Sequence, residues 1–246
     1  FSMPMAAYPP AFIPAPPAEI EPPPPPLAPS LPGEVPSLPR RLPLTAAQPL
    51  KRGDTLLTGA TGFFGAHLLQ TLTERGERIV CLVRDAGRLK RTLEAYFGRV
   101  PDGIEAVEGD IERPRLGLSF ARYADLVRRT ARVWHAAADV RHHAPNEELY
   151  RANVTGTETA IAFAADAEAW LGHISTASVS GSHARGLTGE ILRFTEQDLD
   201  IGQNLAENPY VRTKAIAEAR VAAAMEAGLS AQIFRVGRLT ARHRDG

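Results

Sequence analysis

A short apolar run, Thr55 to Thr58, passes straight through Gly59-Ala60-Thr61-Gly62-Phe63-Phe64-Gly65 into a segment carrying Leu68, Leu69 and Leu72 at helical spacing. No other stretch of the chain restricts its fold so much. Strand, glycine turn and helix in that order open a βαβ unit whose turn exposes backbone N–H groups to an anion. Gly59 and Gly62 permit a tight turn and a close approach to a pyrophosphate, and Gly65 lets the helix lie on the strand. Thr61, Phe63 and Phe64 belong to the same turn, so the whole stretch is expected to hold a dinucleotide.

From Lys51 onward, short apolar runs alternate with helical stretches, the pattern of a parallel sheet. Strands are expected at 55–58, 78–83, 104–108, 132–135, 171–176 and 231–235. Helices are expected at 63–75, 87–97, 120–130, 147–165 and 210–227. The implied fold is α/β, a Rossmann doubly wound parallel sheet of about six or seven strands flanked by helices. The segment before it differs sharply: 17 of the 21 prolines precede residue 51, including the run Pro22 to Pro26. Such a stretch cannot be a helix or a central strand. Residues 1–50 therefore read as a disordered, polyproline-like linker, with a ligand for a proline-binding module as the alternative, and residues 51–246 as the nucleotide-binding domain.

Composition narrows the partners. With 28 basic and 28 acidic side chains, the chain offers no general field for nucleic acid or an anionic membrane. The single cysteine, Cys81, rules out an intrachain disulfide, which fits a reducing cytoplasm, and it sits in an apolar strand where it packs as a small hydrophobe. The first thirteen residues lack a basic start and are broken by Pro4, Pro9 and Pro10, unlike a signal peptide. His142 and His143 are adjacent and lack a ligand pattern around them, so no metal is expected.

The end of the second strand decides between cofactors. An NAD site usually carries an acidic residue there, whereas Cys81-Leu82-Val83 is followed by Arg84, with Arg88 one helical turn on. Two guanidinium groups suit the 2′-phosphate of NADPH, although helix-surface arginines could equally be solvated. After the third strand, Asp110 and Ile111 are candidates to meet the adenine, with a turn role open for Asp110. Ala136, Ala137 and Ala138 leave room for the cofactor to cross the sheet, and core packing would explain them as well.

Tyr210 and Lys214 lie four residues apart, hence on one face of a helix. A cation beside the phenol would lower its pKa and could also hold ribose hydroxyls, leaving Tyr210 to donate a proton. The strand ending in Ile174-Ser175-Thr176-Ala177-Ser178 supplies a third group. Thr176 is the choice, with Ser175 and Ser178 as competitors, to hydrogen-bond a substrate carbonyl oxygen as negative charge builds on it.

Several stretches together resemble the thioester reductase domains that terminate nonribosomal peptide and polyketide synthetases, within the extended short-chain dehydrogenase/reductase superfamily. They are LTGATGFFGAHLLQTL (57–72), CLVR (81–84), EGDI (108–111), WHAAADV (134–140), NVTGT (153–157), ISTASVSG (174–181), FTEQDLDIGQ (194–203), NPYVRTKAIAE (208–218) and IFRVGRLT (233–240). Carboxylic acid reductases and fatty acyl-CoA reductases are related. The resemblance implies a Thr176, Tyr210 and Lys214 triad, with Arg84 and Arg88 on the 2′-phosphate. It also implies a phosphopantetheinylated carrier domain as partner, whose acyl or peptidyl thioester is reduced by NADPH to an aldehyde or on to the alcohol. Members of that family continue into a smaller, mostly helical substrate domain, so the chain is expected to hold the reductase core without most of that domain. The other readings are another extended short-chain dehydrogenase, nucleotide-sugar epimerase-like or fatty acyl-CoA reductase-like, and a non-catalytic NADP-binding module.

Overall fold

A computed structural model describes residues 41–43, 51–141, 144–181 and 193–239. The proline-rich segment before residue 41, and the His142 and His143 pair, lie outside the described residues.

Six strands form one parallel sheet: β1 (Asp54–Thr58), β2 (Ile79–Val83), β3 (Ile104–Glu108), β4 (Thr130–His135), β5 (Trp170–Thr176) and β6 (Ala231–Val236), in the spatial order β3-β2-β1-β4-β5-β6. Every residue of β1 and β2 is buried, as expected of central strands covered on both faces. The chain moves outward from β1 in one direction as far as β3, then returns to β4 on the other side. The carboxyl ends of β1 and β4 therefore flank the point where winding reverses, and ligands of open α/β sheets bind in the crevice there.

Alternate side chains divide the core. Leu57, Ile79, Cys81 and Val83 face α1 (Phe63–Glu74) and α2 (Ala86–Phe97), packing on Ala66, Leu69, Leu89 and Leu93. Leu56, Val80, Leu82, Val133 and Leu171 face the opposite layer, where α3 (Phe120–Arg129) supplies Tyr123 and Leu126. Two further helices complete it: α5 (Gly156–Asp166) with Phe163 and Ala164, and α6 (Pro209–Glu226) with Val221 and Met225. Cys81 is fully buried in this packing and burial pushes its thiol pKa up, so it behaves as the small hydrophobe expected.

The long helix expected over 147–165 is interrupted. A short helix α4 (Asn146–Tyr150) runs into a π-helical turn, Arg151–Thr155, and then into α5, with helical backbone across both junctions. Hydrophobic spacing misses such a turn because one inserted residue widens the helix without breaking it. The insertion turns Asn153 inward. At the other edge of the same layer, Asn208 caps α6 by accepting from Val211 N–H at 3.3 Å, and Pro209 occupies the first helical position.

Phe163 is completely buried and meets Tyr123 edge to face at 5.4 Å, while the Tyr123 hydroxyl donates to Asp166 at 2.7 Å. Phe163→Ala should cost about 3–5 kcal/mol. The check is urea unfolding followed through Trp134 and Trp170, the two tryptophans of the chain.

Candidate active site

The glycine turn is set by backbone contact. A Cβ on Gly65 would lie 2.1 Å from the carbonyl oxygen of Gly59, and one on Gly59 would lie 2.5 Å from the backbone of Ala136 and Ala137. Gly59 also has a φ of +77°, which glycine adopts without strain. Gly62 differs: its φ is −88° and a Cβ there would meet only the Gly59 oxygen, at 3.4 Å. Gly62 caps α1 with no side-chain hydrogen bond, and no acidic residue occupies the first turn. The N–H groups at this helix end thus keep their partial positive charge for an anion. Thr61 and Phe64 flank the turn half-buried, and Phe63 is exposed against His67 and Tyr96.

At the end of β2, Arg84 is exposed, and its charge acts on Glu112 and Asp139 across the crevice. Sequence reasoning passed over its neighbour Asp85. That carboxylate caps α2, accepting from Arg88 N–H at 2.9 Å, and pairs with Arg91 at 3.5 Å. The hydrogen bond from the Arg88 N–H, with the charge of Arg91, holds Asp85 below its ordinary pKa. Asp110 takes the turn role, its carboxylate accepting from Glu112 N–H at 2.9 Å. Ile111 packs toward Gly156, where an added Cβ would fall 2.7 Å from its Cδ1. The β4 end is held to β1, with Ala136 N–H donating to the Thr58 carbonyl and Ala137 N–H to the Thr58 hydroxyl, each at 3.3 Å. Ala138 is exposed beyond it.

The catalytic candidates gather at the carboxyl end of β5. Thr176 closes that strand half-buried, and its hydroxyl accepts from Ser178 N–H at 3.2 Å. Ser175 is buried with no partner for its Oγ among the described residues, and Ser178 is exposed on the turn beyond. Lys214 is fully buried, donating from Nζ to the Ile174 carbonyl at 2.7 Å and lying 3.2 Å from His173 Nε2. Burial lowers its pKa to about 8, partly opposed by Glu218. Tyr210, one turn earlier, is half-buried, and burial raises its pKa. The lowering of the phenol expected from the lysine is not seen, because the ammonium is engaged with β5.

Three further groups were not foreseen. Asn153, aimed by the π turn, accepts from Asp139 N–H at 2.7 Å and donates to the Asp139 carbonyl and the Thr213 hydroxyl, both at 2.9 Å. Thr213 in turn donates to the Tyr210 carbonyl at 2.8 Å, so the bulge fixes the start of α6. Arg235 on β6 binds buried Glu218 at 2.7 Å and the carbonyls of Thr195 and Asp198 at 3.0 and 2.6 Å, which ties the segment before α6 to its middle. The third group is His173. Only the motif NVTGT marked Asn153; a buried Arg–Glu pair and an in-strand histidine carry no sequence signature.

Residues 57–246 match the family described as Male sterility protein, an NAD-binding family. The chain belongs to that family. Its relatives in that family include reductase domains of nonribosomal peptide synthetases. One of the linear gramicidin synthase subunits of Brevibacillus parabrevis is 34% identical over 197 residues, 75% of this chain and 4% of that protein. Isonitrile lipopeptide synthase of Streptomyces coeruleorubidus is 35% identical over 202 residues, 78% of this chain and 13% of that protein. Among solved structures, an archaeal nonribosomal peptide synthetase thiolation-reductase di-domain superposes with a TM-score of 0.69 at 32% identity, covering 80% of this chain and 43% of that one. The terminal R domain of the myxalamid PKS-NRPS pathway gives 0.64 at 32%, covering 76% and 50%. The chain therefore spans half or less of each of these relatives.

Two tests follow from this geometry. Gly65→Ala should prevent folding or cost more than about 3 kcal/mol, because backbone must move. Gly62→Ala should cost under about 1 kcal/mol yet weaken dinucleotide binding; denaturation and calorimetric titration separate the two effects. The second test concerns Lys214. Between pH 8 and 10.5 the unfolded chain holds a proton on this lysine that the folded chain has released. Wild-type stability should therefore gain up to about 3 kcal/mol on Lys214→Met across that window. Paired urea titrations at both ends of the window measure the difference, and the methionine's own packing contribution cancels.

Proposed function

We propose that this domain uses NADPH to release an acyl or peptidyl group from a carrier domain's phosphopantetheine arm as an aldehyde. The observation that carries the reading is a buried lysine held at the end of β5, one helical turn from a half-buried tyrosine, at the same carboxyl edge of the sheet as an uncapped glycine-turn helix. The names of the relatives supply the setting: peptide synthetases, and a reductase joined to a thiolation domain.

The residues suit NADPH. The contact between Gly65 and Gly59 leaves a side-chain-free cradle for a pyrophosphate, which would rest on the N–H groups of Phe63 and Phe64, the Gly62 N–H being given to the Gly59 carbonyl. Arg84 and Arg88 would hold the 2′-phosphate, and Asp85 is committed to its helix cap instead of to a ribose hydroxyl. Asp110 and Ile111 would border the adenine, Ala136 to Ala138 the path across the sheet. When bound, the nicotinamide supplies a hydride to the thioester carbonyl carbon.

Thr176 hydrogen-bonds the carbonyl oxygen while charge gathers there. Tyr210 gives that oxygen its proton, and the hemithioacetal collapses to aldehyde and carrier thiol. Lys214 would hold the ribose hydroxyls of the cofactor. Such a domain would work in a reducing cytoplasm beside its carrier, and 1–50 would serve as the spacer between them.

Tyr210→Phe should lower aldehyde formation from a thioester-loaded carrier by about 10²- to 10⁴-fold while leaving NADPH affinity within about threefold. NADPH absorbance, aldehyde trapping and calorimetry measure these. A wild-type protein that consumes no NADPH and forms no aldehyde, or that binds NADH as tightly as NADPH, refutes the corresponding half of the proposal.

A further inference from the structure

One level of the sheet is polar where a core would be expected to be apolar. Thr58 on β1, His135 on β4 and His173 on β5 are register neighbours across three strands, and all three are buried beneath α5 and α6. The two imidazoles stack, with ring centroids 5.5 Å apart and planes inclined by 27°. On one side His135 lies 2.8 Å from the Thr58 hydroxyl through Nδ1 and 3.1 Å from the Thr157 hydroxyl through Nε2. On the other side His173 Nε2 meets Lys214 Nζ at 3.2 Å.

The hydrogen-bond directions follow from donor counting. Thr157 donates its only hydroxyl proton to the Asn153 carbonyl at 2.7 Å, so toward His135 it can only accept. His135 therefore carries its proton on Nε2, and its Nδ1 accepts from the Thr58 hydroxyl. Both rings are kept neutral by burial, reinforced by the charge of Lys214. An ammonium has no acceptor, so His173 must receive the Lys214 N–H at Nε2 and carry its own proton on Nδ1. That Nδ1 has no partner among the described residues. A buried donor left unmatched is costly, so a leucine or valine here would serve the core better.

We infer that His173 is a positioning residue: its neutral ring, propped by His135, is the acceptor that holds Lys214 charged and aimed along the end of β5. Among the described residues, Lys214 otherwise has only the Ile174 carbonyl. The other ionisable groups around it do not replace that acceptor. Glu218 favours the charged lysine through space, but its carboxylate accepts from Arg235 and makes no hydrogen bond to Nζ, and Tyr210 stays protonated as burial raises its pKa. Ser175, on the same face of β5 two residues on, keeps an unpartnered Oγ. The inference rests on the reading of Lys214 as the cation that assists Tyr210, but its test reads Lys214 itself and needs no turnover.

The chain has three lysines, Lys51, Lys90 and Lys214, so isotope-labelled lysine gives three Cε signals, and the Lys214→Met spectrum identifies the buried one. In wild type that signal should titrate near pH 8. His173→Leu should raise its acid dissociation constant about tenfold, since the charged form loses an acceptor, and His173→Gln, whose amide oxygen can take the place of Nε2, should stay within about threefold of wild type. An unchanged midpoint in the leucine variant, or a glutamine variant that shifts as far as leucine, overturns the inference. A measurement on the unaltered chain stands even if a variant fails to fold. Below the Lys214 midpoint, long-range nitrogen–proton spectra should show His173 protonated at Nδ1 and bare at Nε2, and the opposite tautomer overturns the inference. Failure of aldehyde formation with these titrations as expected would refute the reductase reading and leave the role of His173 intact.

Discussion

The close approach of α1 to the first turn governs the carboxyl edge of the sheet. With no Cβ at Gly65 or Gly59, the start of α1, the end of β1 and the end of β4 come into direct backbone contact. This contact points the uncapped end of α1 into the crevice where the winding reverses. It also fixes β4 so that the N–H groups of Ala136 and Ala137 donate to Thr58. Any larger residue would separate these elements and move the N–H groups at the start of α1 away from the groups at the end of β5.

Just below that edge lies a second constraint, the buried polar level through Thr58, His135 and His173. Polar groups in a low-dielectric interior are tolerated when their hydrogen bonds are matched, and they then specify one arrangement. Here they connect β1, β4 and β5 to α5 and α6. The π turn contributes from the same layer: Asn153 joins the loop after β4 to Thr213, and Thr213 joins it to Tyr210. Arg235 and Glu218 anchor the segment before α6 from the side of β6. The helix carrying the tyrosine and lysine is thus held through four strands and one bulge. The cost is a charged Lys214 in a dry environment, reflected in its lowered pKa.

Much of this was legible in the chain. All six strands and the helices about them follow from apolar spacing, because a parallel sheet buried on both faces needs runs such as Ile79 to Val83, and amphipathic helices need every third or fourth residue. The glycine turn, and the four-residue separation of Tyr210 and Lys214, are local geometry and need no tertiary information. The π turn was not legible, since its spacing is nearly that of an ordinary helix. Nor was the use of Asp85: an acidic residue after β2 reads as a ribose ligand or a cap alike until its hydrogen bond to Arg88 is seen. Nor could the chain show how Ser175, Thr176 and Ser178 differ in exposure, the first buried, the second half-buried at the end of β5 and the third exposed.

By itself, then, the sequence determined the order of elements, the dinucleotide turn and the residue types able to move a proton, all of which depend on neighbours within about one helical turn. The tertiary structure decided which groups meet across strands: His135 upon His173, His173 upon Lys214, Asn153 upon Thr213, and Arg235 upon Glu218. Their partners lie 17 to 60 residues apart, or on neighbouring strands, and no local pattern records such a pairing. Packing alone fixes it, because a buried polar group must find its partner wherever the fold has placed one.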